Sequence, residues 1–578
     1  MSPLNDSANT LLDARAARIV LLVAMAAFVV QGWLYAGAQM SWHEEIATHA
    51  APPPLQLVLN DGKAQIVDAC AGDAWIAFAG TRPQLVLCVG GLAWPIMVTP
   101  YIGGIPYWPL QLLRPLHHGH PVAMRRAALL VGVFALWILF RLVERLSTST
   151  TAAAAVAVAA VQPAFVSIHS LLVLFESLPS LLIACAALVI ASRADRSLPP
   201  TTRRAAVAGA LTGLAVLANV KGAVVALPIL AFALFESPSL RRTSGRAWLA
   251  AGLMALLVLA PMIVTGLADP QARFNSEVGR RFAIAASRLQ PRLLAAETLN
   301  SFVFAADFPF YFDLVVGGDG GFQPALVVVA GFAFFYSVYE LVRALRRQAH
   351  EPVAAACGAL QLFYVVFVCL AYNQTPGANY SPIIYAQIVS MGCAILAVGR
   401  AFARWANRPR LGIALMGAAT VATLVINMYR RGDPRDIGAI ALNLYAVEGL
   451  GEHLRSTPGG LVAVTSETLS QVPDALSGHA SVCIDQALTQ CSNGPDAEAC
   501  ELRVVTAVLD AVPNVRFLVP LLVGVVDRAP SHRIVATIEA AARARGASVR
   551  EEGRFSTRAG VPALAVLDVV PGGAAQPS

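Results

Sequence analysis

The sequence predicts a polytopic α-helical membrane protein with about 11 transmembrane helices and a C-terminal soluble α/β domain. Of its 578 residues, 57% are hydrophobic and 13% charged, whereas a soluble domain carries about 25% charged residues. The apolar residues come in blocks of about 20, the length that crosses a hydrocarbon core. After about residue 433 the composition changes to a soluble pattern. These observations exclude a globule that is surrounded by water.

The first apolar block, from about Ile19 to Gln39, is predicted to be an uncleaved helix with its N-terminus in the cytoplasm. A signal peptide cleaved near Ala36–Ala38 is the alternative, but the block is long for such a segment. Ten further spans are predicted at 125–144, 151–171, 178–192, 205–219, 222–236, 247–266, 323–342, 353–372, 380–399 and 410–428.

The charge distribution supports this topology. Every loop that it places in the cytoplasm is rich in arginine, as the positive-inside rule requires. The net charge of +7 therefore reflects topology and does not suggest nucleic acid as a partner. An odd number of spans places the C-terminal region outside, in the periplasm if the membrane is a bacterial inner membrane. If 205–219 and 222–236 formed one bent helix, this alternation would fail.

Two regions are predicted to lie outside the membrane. The first outer loop, residues 40–124, includes an apolar run from Leu85 to Val98 that is short for a span and contains Gly90, Gly91 and Pro95. We interpret this run as interfacial or re-entrant. Residues 433–578 are predicted to form the α/β domain and a disordered tail, which leaves 1–432 as the transmembrane domain. The strands begin near Gly460, Val515 and Val561, and an amphipathic helix begins near His532.

The nine cysteines divide by predicted location. Those in spans are expected to be small apolar side chains in the core, and Cys88 in the apolar run is expected to behave in the same way. Four others lie outside, where disulfides persist: Cys70, Cys483, Cys491 and Cys500. A bridge from Cys491 to Cys500 or to Cys483 fits, and the sequence leaves the pairing open.

Three acidic residues are candidates for catalysis. Glu44 and Glu45 open the first outer loop, about one helical turn beyond the first span, and Glu176 lies near the outer end of the third span. Loop carboxylates are usually solvated, but a covering loop rich in proline and aromatic residues raises a carboxylate's pKa towards that of a general base. A carboxylate at membrane depth is costly unless it faces a cavity or a partner.

Basic residues on the same side suggest an anionic ligand. Of the 42 basic residues only Lys63 and Lys221 are lysines, and Lys221 lies between two apolar runs. An ammonium is a compact phosphate-binding charge, although a snorkelling lysine is the simpler alternative. Arg125 and Arg126 begin the second span. A further group after Pro270 is expected to meet an anionic donor or lipid headgroups: Arg273, Arg280, Arg281, Arg288 and Arg292.

Cofactors are not expected. The first outer loop contains five histidines, but their spacing matches no known metal motif, so a divalent metal is the less favoured alternative: His43, His49, His117, His118 and His120. The chain also lacks a Walker loop, a GxSxG motif and a Rossmann fingerprint. ATP-driven transport therefore has no support.

Residues 15–400 resemble the GT-C glycosyltransferases, in particular the protein mannosyltransferase and aminoarabinose transferase-like branch (glycosyltransferase family 39-like). Trp42-His43-Glu44-Glu45 occupies the position of that family's acidic pair, which is more often Asp-Glu. The segments 100–126, 213–221 and 379–385 are similar to the family's stretch leading to an arginine, its apolar run ending in lysine, and its late tyrosine-containing turn. Glu176 matches a recurring acidic position.

The resemblance implies inverting transfer of a sugar from a polyprenyl-phosphate donor at the outer membrane face. Glu44 or Glu45 would be the general base, with Glu44 slightly favoured, and Glu176 would position the acceptor or share the proton. The resemblance also implies a phosphate site with Lys221, Arg125 and Arg126, and a substrate pocket with Tyr101, Trp108 and Tyr380.

The sugar and the acceptor, whether protein, lipid or glycan, are left open, as is acceptor selection by the C-terminal domain. A transporter or lipid flippase is the main rival function, since it would use the same intramembrane charges. Such proteins usually contain internal repeats, and the sequence displays none. A membrane-anchored binding module is the weakest reading because an anchor needs far fewer spans.

Overall fold

The structure is a computed structural model of the chain, and the description below is confined to the part of the chain that it describes. That part comprises residues 12–36, 55–60, 63–68, 70–71, 76–79, 84–89, 92–99, 102–117, 121–170, 174–193, 195–268, 284–306, 324–371, 377–405, 414, 417–418, 420–422, 444–465, 477, 479–492, 496–512, 514–521, 531–556, 560 and 562–571.

The chain divides into two compact units, one formed by Met1–Ala36 with Ala128–Asp433 and the other by Gly37–Ala127 with Pro434–Ser578. The boundary at Asp433 lies beside the predicted one. Residues 37–127, however, group with the C-terminal part, whereas the sequence-based division assigned the first outer loop to the transmembrane domain.

The first unit is helical. Its helices are α1 Ala14–Tyr35, α4 Pro121–Leu146, α5 Ser149–Val161, α6 Pro163–Ser170, α7 Leu174–Ala191, α8 Thr202–Ala218, α9 Lys221–Glu236, α10 Pro238–Arg241, α11 Gly245–Ala268, α12 Pro291–Ala306, α13 Pro324–Leu345, α14 Pro352–Ala371 and α15 Ile384–Trp405, where α2 and α3 belong to the second unit. The first residues of α4, up to Ala127, also fall in the second unit. Short 3₁₀ helices cover Ala286–Arg288 and Gly377–Ile383.

The predicted membrane character is confirmed, whereas the predicted count of spans stays a prediction. Within the described residues, six helices are long and apolar enough to cross a membrane, and α5 with α6 would add a seventh as one span bent by 68°. Helices α8 and α9 are separate, with a break at Asn219 and Val220. The predicted span 410–428 lies largely outside the described residues.

Helix α5 lies at the centre of the helical unit. It is almost entirely alanine and valine, nearly all of its residues are buried, and the Thr148 hydroxyl caps its start by accepting from the Thr151 amide at 3.2 Å. Small side chains let neighbouring backbones approach closely, and α5 packs against α1 and α15. It ends where Pro163 interrupts the helical hydrogen bonds, and the Gln162 side chain accepts from the Phe165 amide at 2.6 Å.

The second unit contains the predicted α/β domain. Its elements are α16 Leu444–Ser456, β8 Val462–Val464, β9 Ser481–Cys483, α17 Asp485–Ser492, α18 Ala497–Ala511, β10 Arg516–Pro520, α19 Ser531–Arg543, β11 Ala547–Ser556 and β12 Pro562–Pro571. The sheet order is β11-β12-β10-β8-β9, with β10, β8 and β9 parallel. Successive residues of β8 point to opposite faces. Val462 and Val464 pack against α16, while Ala463 joins a core with α17, α18 and α19.

The first outer loop also folds into strands in this unit. They are β1 Leu55–Asn60, β2 Lys63–Asp68, β3 Ile76–Ala79, β4 Gln84–Val89, β5 Leu92–Pro95, β6 Met97–Thr99 and β7 Ile102–Gly103, followed by the short helices α2 Trp108–Leu112 and α3 Arg114–His117. The apolar run 85–98 thus lies in strands β4, β5 and β6, and its placement relative to the membrane stays a prediction. Strand β4 pairs with β3 and β5, which satisfies its backbone groups within a sheet.

The disulfides correct one expectation and decide another. Cys88 was expected to be an apolar core residue, but it lies in a strand of a β-sheet and is bonded to Cys70. Cys491 is bonded to Cys500, which is one of the two pairings that the sequence left open. Cys483 is a free, buried cysteine.

Candidate functional site

The predicted site residues fall into three groups. Glu44, Glu45 and Tyr101 lie outside the described residues. Glu176 is the third residue of α7, but its side chain is outside the description. The remaining predicted residues are described in full: Lys221 and Tyr380 in the first unit, and Trp108, Arg125 and Arg126 in the second.

Lys221 is a buried cation at the start of a helix. It is the first residue of α9 and is 6% exposed. Its amide donates to the Asn219 side chain at 3.0 Å, and the Gly222 amide donates to the Asn219 carbonyl at 2.7 Å. This turn therefore satisfies its own first amides, so the ammonium is the group with which this helix end would bind an anion.

A glycine fixes the position of that lysine. A side chain at Gly222 would collide with the backbone carbonyl of Ala215 in α8. Only glycine allows the two helices to approach this closely at the break. The location of the Lys221 ammonium is therefore set by packing between α8 and α9.

The 3₁₀ segment Gly377–Ile383 joins several helices at the same predicted outer end. It contacts α7, α9, α12, α14 and α15. Ser180 of α7 donates to the Pro382 carbonyl. Tyr380 is fully buried, and its hydroxyl contacts the Glu297 carboxylate at 2.5 Å and the Glu297 carbonyl at 2.9 Å. The fold thus brings together the elements that carry Glu176, Lys221 and Tyr380.

Glu297 was missed by the sequence analysis. It is a single acidic residue in α12, and nothing near it in the sequence marks it. Its contact with Tyr380 joins residues 83 positions apart. The only available signal was a carboxylate in an apolar helix after the arginine-rich outer loop, a position that is costly without a partner.

An aromatic cluster lies under this end of the bundle. His169, the seventh residue of α6, is fully buried, and its Nε2 lies 3.2 Å from the Tyr385 hydroxyl. The Phe165 ring packs against His169 at 4.5 Å between centroids, and Phe28 of α1 contacts both. This packing joins α1, α6 and α15 through rigid rings.

The second unit contributes two arginines and a tryptophan. Arg125 is fully buried in α4, and Arg126 is half-buried beside it. Trp108 is 37% exposed, and its indole nitrogen donates to the Pro95 carbonyl at 2.8 Å. The hydrogen bond fixes the ring while part of its face stays open, which suits an aromatic side chain that packs against a ligand.

No metal centre is visible in the described part of the chain. Among those residues, no three His, Cys, Asp or Glu side chains are grouped closely enough to hold an ion. Four of the five histidines of the first outer loop lie outside the described residues, namely His43, His49, His118 and His120. The metal alternative therefore stays a prediction.

Residues 105–264 match the sequence profile of the dolichyl-phosphate-mannose-protein mannosyltransferase family. No curated protein matches the chain by sequence. This matched range contains Trp108, Arg125, Arg126, Glu176 and Lys221.

Solved structures share the fold. The crystal structure of ArnT from Cupriavidus metallidurans bound to undecaprenyl phosphate superposes with a TM-score of 0.56 at 12% identity, covering 95% of this chain and 97% of that one. ArnT in the apo state gives 0.52 at 12% identity, with the same coverages. The Archaeoglobus fulgidus oligosaccharyltransferase gives 0.49 at 13% identity, covering 87% and 69%. The family match covers less than a third of the chain, and the two ArnT structures show that the chain shares their fold.

Proposed function

We propose that this protein is an integral-membrane glycosyltransferase that moves a sugar from a polyprenyl-phosphate donor to an acceptor at the outer membrane face. The membrane would be a bacterial inner membrane, with the N-terminus in the cytoplasm and the C-terminal domain in the periplasm. The ArnT fold supports this proposal, since one ArnT structure was solved with undecaprenyl phosphate bound. The acceptor is a protein, a lipid or a glycan.

The burial of Lys221 carries the proposal. The ammonium of a lysine is a compact charge that binds phosphate well. The N-terminus of a helix is also the positive end of its dipole, where a cation is disfavoured and an anion is favoured. Lys221 is buried at the first position of α9, so its ammonium and the helix N-terminus present positive charge together. It is well placed to bind the phosphate of a lipid carrier.

The reaction needs no nucleotide. An acceptor oxygen or nitrogen attacks the anomeric carbon, the bond from that carbon to the phosphate oxygen breaks, and the electron pair leaves with the phosphate. The acceptor's proton passes to Glu44 or Glu45, and Glu176 positions the acceptor or shares that proton. Inversion follows because attack and departure take place on opposite faces of the sugar ring.

The remaining residues bind and orient. Lys221, Arg125 and Arg126 stabilise the charge that develops on the leaving phosphate, which is an electrostatic contribution. Trp108 offers its open ring face to the substrate, and Tyr101 would lie in the same pocket. Tyr380 would line the substrate pocket, and its hydroxyl is held by Glu297.

Transfer of radiolabelled sugar from a polyprenyl-phosphate donor tests the proposal in membranes. Wild type is compared with Glu44→Gln and Glu45→Gln, which keep the shape of the side chain and remove the base. We expect one of them to lose roughly 100- to 10,000-fold of the rate while still binding donor. Full activity in both would remove the catalytic assignment. If wild type transferred nothing from any donor but moved the lipid across the membrane, the protein would be a flippase.

A further inference from the structure

The C-terminal domain contacts the first outer loop through one apolar face of the hairpin β1–β2. Leu57 and Ile66 are directly opposed across the hairpin, and Leu55 lies two residues before Leu57 on the same face. All three pack against the core of the C-terminal domain. Strand β1 contacts β9, and strand β2 contacts α18.

This contact determines where the hairpin lies. A two-stranded hairpin is marginally stable in water and needs further packing. The three apolar side chains gain such packing from the C-terminal core. The Cys491–Cys500 disulfide joins α17 to α18, the helix on which β2 packs. The surface that receives the hairpin is therefore covalently braced.

A second disulfide links the hairpin to the neighbouring sheet. Cys70 follows the end of β2 and is bonded to Cys88 in β4. Strand β4 is the central strand of the sheet β3-β4-β5. Because β2 and β4 are covalently linked, a displacement of the hairpin displaces this sheet.

From the sheet, backbone contacts lead to the predicted substrate residues. The Ile96 amide donates to the Leu85 carbonyl at 2.8 Å, and the Gly104 amide donates to the Ile96 carbonyl at 2.7 Å. Gly104 lies so close to the Pro95 carbonyl that a side chain would not fit. The same carbonyl accepts from the Trp108 indole.

The chain then continues through α2 and α3 into α4, which carries Arg125 and Arg126. All of these residues belong to the second unit. A series of hydrophobic, covalent and hydrogen-bonded contacts therefore connects the C-terminal core to Trp108. Among the described residues, the short helices α2 and α3 lead from Trp108 to the helix that carries the two arginines.

We propose that the C-terminal domain is a positioning element for the donor site and acts through the hairpin β1–β2. Leu55, Leu57 and Ile66 are its positioning residues. They set the location of Trp108 and of the phosphate-binding arginines without touching substrate. The role of those arginines rests on the proposed function, whereas the mechanical connection does not.

The test uses the full-length protein in detergent or nanodiscs, with Ile66→Asn as the variant. The matched control is Leu502→Asn, which replaces an aliphatic side chain of the same size by asparagine at an exposed position of α18, and Ile66→Val is the conservative comparison. Hydrogen–deuterium exchange is measured over residues 84–117, together with kcat and KM for a polyprenyl-phosphate sugar donor.

We expect Ile66→Asn to increase exchange over residues 84–117 and to raise the donor KM. Misplacement of binding groups by about 1 Å costs roughly 100-fold, so kcat/KM should fall by about 10- to 100-fold. Leu502→Asn should change neither the exchange over residues 84–117 nor the donor KM, and Ile66→Val should match wild type in both. Unchanged exchange over residues 84–117 in a folded Ile66→Asn protein would overturn the proposal, whether or not sugar transfer is observed.

A second variant covers the case in which Ile66→Asn does not fold. The double variant Cys70→Ser/Cys88→Ser removes the disulfide that links the end of the hairpin to β4. It leaves intact the apolar face of the hairpin that packs against the C-terminal core. It should increase exchange over residues 84–117 while residues 55–68 stay protected. If residues 84–117 stayed equally protected, the proposal would be wrong. A wild-type protein that transfers no sugar from any donor would refute the proposed function alone, because the exchange measurements still decide the coupling.

Discussion

Basic residues at the two predicted ends of the membrane helices differ in their burial and in their position along the helix. At the predicted inner end, Arg343 lies in the last turn of α13, where the helix dipole favours a cation. It pairs with Glu340 at 3.1 Å, and Arg141 pairs with Glu144 at 2.8 Å in α4. Both arginine side chains are about one-third exposed. At the predicted outer end, Lys221 and Arg125 are buried near helix starts, where the dipole opposes them.

This difference separates charges that define topology from charges that serve chemistry. The inner arginines are partly exposed to water and pair with acidic neighbours. Arg343 also lies where the helix dipole favours a cation. The free-energy cost of these charges is therefore small. The outer cations have an unfavourable dipole and little water. A buried cation at a helix N-terminus presents positive charge where an anionic ligand is favoured.

The largest expected effect is on Lys221. Lys221→Met keeps an unbranched side chain of similar length and removes the charge, so sugar transfer should fall by roughly 100- to 1,000-fold. Lys221→Arg keeps the charge but not the compact ammonium, and its activity should be intermediate. The measurement is initial transfer rate at saturating donor. Equal rates for Lys221→Met and wild type would contradict the view that the outer cations serve the chemistry whereas the inner arginines define topology.

Gly222 should come next, because it positions the lysine without contacting substrate. Gly222→Ala forces α9 away from α8, and the shift of Lys221 should lower kcat/KM by roughly 10- to 100-fold. Gly252→Ala in α11 is the matched control, since a side chain there meets nothing within 4 Å. Steady-state kinetics of both variants check this. A similar loss in the control would point to a general effect of glycine replacement.

A smaller effect is expected at Tyr380. Tyr380→Phe removes the hydroxyl that Glu297 holds, so the free energy of unfolding should fall by about 1 kcal/mol, with a modest loss of activity. Tyr339→Phe, at an exposed tyrosine of α13, should have no effect. Thermal unfolding in detergent compares the two. Identical melting temperatures would show that the Tyr380 hydroxyl does not stabilise this end.

The smallest effect is expected at the inner end. Burial raises the pKa of Glu351, while Ser147 and Arg400 oppose the shift and Glu340 adds to it. A raised pKa means that the folded protein binds the proton more tightly. The associated stability is therefore present at low pH and lost as pH rises above the ordinary value of 4.5.

Glu351→Gln removes the ionisable carboxyl and therefore the loss of stability at higher pH. The variant should match wild type near pH 4 and melt slightly higher near pH 8, with transfer unchanged. Melting curves across this range test the sign. A variant that became less stable than wild type as the pH rose would show that Ser147 and Arg400 outweigh burial.

The sequence was most informative where a residue type was rare or a pattern was regular. Lys221 could be selected because lysine is almost absent from the chain, and the apolar blocks revealed the membrane class. The Tyr380–Glu297 contact could not be predicted, since it joins positions far apart with no shared motif. The role of Cys88 was obscured because an apolar run looks the same whether it enters a membrane or forms a hairpin. The docking of Leu57 and Ile66 depends on a surface formed near the other end of the chain.

Binding of undecaprenyl phosphate tests the central claim most directly. Its dissociation constant would be measured for wild type, Lys221→Met and Arg343→Met in the same nanodiscs, so that one buried outer cation is compared with one paired inner cation. We predict that Lys221→Met binds at least about tenfold more weakly, the loss expected when a charge-assisted contact to phosphate is removed, and that Arg343→Met binds as wild type does. Equal affinities in all three proteins, or equal losses in both variants, would contradict the claim that the outer end is the phosphate site.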